Sequence, residues 1–129
     1  GKVSEGPGMC FFIVRDGIPI TPSISNDILE SVTRDAILHI IKDHFNVEPV
    51  ERDIDRSELS LADEAFFCGT AWEVTPILSI DRSNIGTGMV GNMTKSIQRK
   101  FFSICDGTDE CYPEWRYAVY SDETRKAAE

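Results

Sequence analysis

The Asp16-Gly17 pair, set between two apolar runs, constrains this chain more than any other feature. Met9 to Arg15 is apolar and β-prone, and Ile18 to Ile20 resumes the same character. An Asp-Gly dipeptide accepts the positive φ angles of a tight hairpin turn. Residues 9–20 therefore read as a β-hairpin. Downstream the period changes. Ile37, Ile40, Ile41 and Phe45 recur at helical spacing, which predicts a helix from about Thr33 to Phe45. A chain of 129 residues with 41% hydrophobic content can bury one real core. Strands alternating with helices around one core give an α/β or α+β class.

The rest of the chain continues that alternation. Val47 to Ile54 alternates well enough for a strand, with Pro49 marking an edge. Ser57 is expected to cap a short helix through Ala62, with Leu59 and Leu61 turned toward the core. Ala65-Phe66-Phe67-Cys68 reads as a buried strand ended by Gly69. Trp72 to Ile80 reads as another, interrupted by Pro76, and residues 81–88 as a turn region. A second helix opens at Asn92 or Met93, presents Met93, Ile97, Phe101 and Ile104 on one face, and stops at Gly107. Trp115, Tyr117 and Tyr120 are expected to dock on the body, and the tail over 122–129 to be flexible.

Charge narrows the partners. A net charge of −9 repels DNA and RNA. The longest apolar run, Met9 to Val14, is far too short to span a bilayer, and the start carries no signal-peptide pattern. Cys10, Cys68, Cys105 and Cys111 form no C-x-x-C pair and no metal-like spacing. They read as reduced thiols in a cytoplasmic protein, with no metal site. His39 and His44 read as surface residues, not ligands.

Three turns combine glycine or hydroxyl groups with neighbouring β-prone runs. In Ser4-Glu5-Gly6-Pro7-Gly8 a carboxylate lies between flexible residues just before a buried strand, where it can be pointed at a ligand or simply be solvated. In Ser31-Val32-Thr33-Arg34 a turn becomes a helix. The first turn of a helix leaves N–H groups without partners and carries the positive end of the dipole, so it can hold an anion. The plainer role of Ser31 is to cap the helix. In Cys68-Gly69-Thr70-Ala71 a strand breaks at Gly69. That frees the Thr70 hydroxyl and the Thr70 and Ala71 N–H groups for an anion, unless the break is a simple bulge.

These turns, with Leu29-Glu30 before Ser31, the run Ala62 to Pro76, and Gly86-x-Gly88-x-x-Gly91-x-x-Thr94, resemble the class IV pyridoxal-phosphate-dependent aminotransferases. The branched-chain amino acid aminotransferases fit best. The resemblance runs in order from Gly1 to about Phe102. It implies the C-terminal large domain of a fold-type IV enzyme over residues 1–121, with mixed strands in a pseudo-barrel and flanking helices. It implies that Glu5 pairs with the pyridine nitrogen of pyridoxal 5'-phosphate (PLP). Ser31 and the Val32 and Thr33 N–H groups would hold the phosphate, with Gly69 and the Thr70 hydroxyl beside them. The Thr70–Ala71 backbone would meet the substrate carboxylate.

The chain departs from the family pattern in three places: Ser31 stands where glycine is usual, Cys10 where asparagine is more common, and Asn92 where proline is usual. Ser31 must then reach a glycine conformation by itself. In the family the Schiff-base lysine lies upstream of the Ser-Glu-Gly motif, so it is expected before Gly1. Lys2 is too close to Glu5 to substitute, and Lys42, Lys95, Lys100 and Lys126 read as solvated. The expectation is a fragment or processed chain, inactive alone, of a homo-oligomeric enzyme. That enzyme would move an amino group between a branched-chain amino acid and 2-oxoglutarate. The same scaffold serves D-amino acid transaminases, (R)-amine transaminases and aminodeoxychorismate lyases. A binding domain without activity is the remaining alternative.

Overall fold

The computed structural model describes residues 1–120; the expectation for the 122–129 tail lies outside them. The hairpin forms as the dipeptide requires. Strand β1 (Cys10–Arg15) pairs antiparallel with β2 (Ile18–Thr21), and Asp16 and Gly17 take φ of 51° and 76°. Next come α1 (Val32–His44), β3 (Val50–Glu51), a 3₁₀ segment (Arg56–Leu61), β4 (Glu64–Gly69) and β5 (Glu73–Ile77). A two-stranded ladder, β6 (Ser79–Ile80) with β7 (Ser83–Asn84), precedes α2 (Asn92–Asp106). The main sheet is mixed, in the order β3-β2-β1-β4-β5, with only the β2–β3 pair parallel. The expected mix of strands and flanking helices is present.

The apolar run of β1 is continuous because the strand is covered on both faces. Successive side chains of a strand point to opposite sides. Cys10, Phe12 and Val14 pack with Ile37, Ile40 and Ile41 of α1 and Ile97 and Ile104 of α2. Phe11 and Ile13 pack on the other side with Ile20, Ile54, Ala62, Ala65 and Ile85. Phe12 stacks on its cross-strand partner Phe66, with ring centroids 4.9 Å apart.

Helix α2 is tied to the sheet by Glu64. Its carboxylate accepts from the Met93 N–H at 3.0 Å, the Thr94 N–H at 2.7 Å and the Thr94 hydroxyl at 2.6 Å. Gly91 makes room for it, since a Cβ there would overlap the Glu64 side chain. Gly107 ends the helix in the left-handed conformation, as expected.

Several expectations are corrected. The strand over 47–54 shrinks to Val50–Glu51 on the edge beside β2. The short helix is 3₁₀ and starts after Asp55; Ser57 lies inside it and Leu61 is exposed. The 72–80 strand is broken between Ile77 and Ser79. Trp115 stacks on Tyr112 at 3.9 Å yet stays 41% exposed, and Tyr117 and Tyr120 are more exposed still. All four cysteines are free.

Candidate functional site

At the Cys10–Cys68 end of the sheet the first turn touches each of the other two segments, Glu5 at Leu29 and Gly8 at Gly69. Gly6 to Met9 forms a tight turn, with Gly6 N–H to Met9 O at 3.0 Å and the reverse bond at 3.2 Å. Pro7 followed by Gly8 at φ 74° is the sequence such a turn favours. The turn sets Glu5 just before β1. Glu5 Oε2 accepts from the Leu29 N–H at 3.2 Å and lies 3.7 Å from the Cys10 thiol. Oε1 has no partner among the described residues. Glu5 is thus joined to the segment that leads into α1, 24 residues away in sequence.

At the start of α1, Ser31 is the N-cap. Its φ is 42°, a region that favours glycine, and its hydroxyl accepts from the Arg34 N–H at 3.3 Å. A serine therefore does adopt the backbone for which glycine is usual. The Val32 and Thr33 N–H groups have no partner among the described residues, as the helix start leaves them. The start of α2 is different, because Glu64 already fills it.

Arg34 is buried to 3% exposure beside this cup. One guanidinium nitrogen donates to Pro22 O and to the Glu51 carboxylate, while Nε has no partner among the described residues. A buried arginine in the first turn of a helix was not foreseen from sequence. It opposes the positive end of the dipole, and only its two distant acceptors explain it.

Gly69 ends β4 against the first turn, where an added Cβ would come within 2.9 Å of Gly8 O. Thr70, Ala71 and Trp72 form the loop of the β4–β5 hairpin, closed by the Thr75 hydroxyl donating to Trp72 O. The break at Gly69 is thus a hairpin loop, not a bulge. The Thr70 hydroxyl and the Thr70 and Ala71 N–H groups have no partner among the described residues.

Two hollows lie here. One of about 450 Å³ is lined by Ser31, Val32, Arg34 and Glu51. Another of about 350 Å³ has Glu5 on its rim and Phe11, Phe67 and Ile77 on its walls. A larger one, about 680 Å³, sits at the far end of α2 by Cys105 and Arg116 and contains none of the three turns. No one of these hollows takes in all three turns. The histidines are exposed, His39 beside Asp35 and His44 against the Tyr112 ring. Lys2 and Lys42 are ion-paired at the surface with Asp55 and Glu48, whereas Lys100, expected to be solvated, is part-buried and held by Asp109. No cluster of metal-binding side chains occurs among the described residues, and none of their helices is long and apolar enough to cross a membrane.

The model of the family described as amino-transferase class IV matches residues 1–80. A probable branched-chain-amino-acid aminotransferase of Aquifex aeolicus is 45% identical over 120 residues, covering 93% of this chain and 39% of that protein. The branched-chain-amino-acid aminotransferase of Pseudomonas aeruginosa is 42% identical, covering 92% and 38%. Among solved structures, the PLP-form of the Thermobaculum terrenum branched-chain aminotransferase superposes with a TM-score of 0.90. It is 45% identical, over 94% of this chain and 39% of that one. The Thermoproteus uzoniensis enzyme with norvaline gives 0.86 at 42% identity, over 93% and 39%. The chain thus spans about two-fifths of the length of the relatives it matches.

Proposed function

The chain belongs to the class IV aminotransferase family, and on that premise we propose that it is the cofactor-holding part of a PLP-dependent branched-chain amino acid aminotransferase. The observation that carries this reading is the contrast between the two helix starts. One is filled from within by Glu64. The other, beside Glu5, leaves the Val32 and Thr33 N–H groups open. An open helix start suits a phosphate.

The residues present fit the cofactor. Val32 and Thr33 would hold its phosphate from the backbone. Ser31 would shape the turn, and the Thr70 hydroxyl beyond Gly69 would add a further donor. Glu5 would accept a hydrogen bond from the ring nitrogen through Oε1 and favour its protonated form, as a close carboxylate does. The Thr70 and Ala71 N–H groups would orient the substrate carboxylate. The chemistry PLP supplies when bound is an electron-poor ring that takes up the charge left when the substrate Cα loses its proton.

The lysine that carries that proton is read as coming from outside these residues, a reading supported by the surface ion pairs of Lys2 and Lys42 and the part-buried pair of Lys100 with Asp109. The exposed side chains of Leu29 and Val32, at 73% and 89%, support a neighbouring domain or second subunit against the site. The free cysteines support a cytoplasmic location. The acceptor is read as 2-oxoglutarate.

The test is substrate profiling of the whole protein with PLP and 2-oxoglutarate. Turnover of leucine, isoleucine and valine is expected. Turnover of D-alanine or of (R)-amines without the branched-chain substrates would reject the reading.

A further inference from the structure

The cofactor reading needs Glu5 to keep one fixed orientation, and an exposed glutamate on a glycine-rich turn does not do that by itself. The Leu29 amide holds one carboxylate oxygen, and the Cys10 thiol, with a single proton to give, lies within reach of that oxygen and of Leu29 O. The Leu29 N–H lies 3.2 Å from Oε2 and the Cys10 sulfur 3.7 Å from it. The same sulfur lies 3.6 Å from Leu29 O. Cys10 therefore sits between the glutamate and the segment that enters the phosphate cup. It is the first residue of β1, 2% exposed, and its register partner is Cys68 at 0%. The sheet thus fixes the sulfur, which faces both Leu29 O and the Glu5 carboxylate oxygen.

Burial, first of all, pushes the Cys10 thiol up; a hydrogen bond with Ser31 opposes this, and the negative field of Glu5 adds to it. The thiol consequently keeps its proton at neutral pH and acts as a donor, not as a nucleophile. Oε1 meanwhile remains without a partner among the described residues.

We propose that Cys10 is a positioning residue for Glu5, its thiol and the Leu29 amide together fixing Oε2 so that Oε1 is left for the ring nitrogen of the cofactor. This rests on the reading of Glu5 given above. Cys10 touches neither cofactor nor substrate; it acts through the glutamate. A cysteine is suited to the place because its small apolar side chain fits a buried strand end while still offering one weak donor.

The experiment uses the full-length protein stripped of cofactor. It is titrated with PLP and with an analogue that carries C–H in place of the ring nitrogen, and dissociation constants are read from tryptophan fluorescence. The proteins are wild type, Glu5→Gln, Cys10→Ala and Cys10→Ser, with thermal midpoints recorded for each. Cys10→Ala is expected to weaken PLP about three- to tenfold, the worth of one hydrogen bond to a charged group at a weak donor. It should leave the analogue within about twofold, and Cys10→Ser should restore the wild-type value within about twofold, because a hydroxyl keeps the donor.

If Glu5→Gln weakens both ligands alike, the reading of Glu5 itself fails. If Glu5→Gln discriminates between the ligands and Cys10→Ala does not, only the role of Cys10 is overturned. Equal weakening of both ligands by Cys10→Ala marks a packing role and also overturns it. Should Cys10→Ala not fold, the infrared S–H stretch of Cys10, assigned by difference against Cys10→Ser, decides the matter. It should rise in frequency in Glu5→Gln, and an unchanged band rejects the contact.

Discussion

Replacing Ser31 by glycine should stabilise the protein even though it deletes a helix cap. Ser31 holds φ 42° and ψ 117°, a combination that costs a residue with a Cβ about 1–3 kcal/mol. Glycine removes that cost. Against it stand two losses. The Ser31 hydroxyl no longer accepts from the Arg34 N–H, but a serine-to-glycine change at a cap costs only about 0.3 kcal/mol. Glycine also loses more freedom on folding, about 0.7 kcal/mol. The balance is a gain of about 1 kcal/mol at the middle of the range. Ser31→Ala gives the opposite sign, because it keeps the strained backbone and loses the cap, a cost of about 1 kcal/mol. The two variants should therefore differ by about 2 kcal/mol in urea unfolding, with unchanged slopes. Equal destabilisation by glycine and alanine would refute the reasoning, since it would mean that the backbone at Ser31 carries no strain.

Two further outcomes follow from the same structure. Gly91→Ala should cost about 2–4 kcal/mol, because the new Cβ meets the Glu64 carboxyl group and displaces the cap of α2; adding Glu64→Ser should recover part of that loss in the same denaturation assay. Glu58 lies 12% exposed between Arg52 and Arg15, and hydrogen bonding to Arg52 first, then Arg15, outweighs burial and brings its carboxyl down to about 2. A lowered carboxyl stabilises the fold above its unfolded value, near 4.5, and that stability is lost as pH falls from there toward about 2. With part-exposed arginines and solvent screening the amount is ~1 kcal/mol, and Glu58→Gln should flatten stability against pH across that window.

Local sequence decides the structure where one local rule dominates. Asp16-Gly17 sets the hairpin by backbone conformation alone. The spacing of Ile37, Ile40 and Ile41, and of Met93, Ile97, Phe101 and Ile104, sets two helices by burial on one face. The start of the 3₁₀ segment is not encoded locally, because distant contacts decide it: Arg56 N–H bonds to Gly1 O, and Asp55 bridges to Lys2. The third strand is short for a similar reason. It pairs with only Ile20 and Thr21, after which Arg52 turns to Glu58 and Asp53 to Asn26. At the candidate site the turns themselves were legible as motifs. The bonds that fix them were not. Glu5 takes the Leu29 amide, Arg34 reaches Pro22 and Glu51, and Glu64 spans 30 residues to Thr94. Such pairings depend on the assembled core, which no short window of sequence encodes.

The two outer strands of the main sheet differ in length but share a property. Strand β3 has two residues, and β5 has five with Pro76 among them. A growing cross-β stack needs a long, regular row of free N–H and C=O groups on an outer strand, and neither supplies one. Another polypeptide would find little template for strand addition here. A protein partner would instead meet side chains on the faces and loops, where Leu29 and Val32 stand 73% and 89% exposed. The five-stranded sheet can thus keep its apolar central strand without inviting self-aggregation along its flanks.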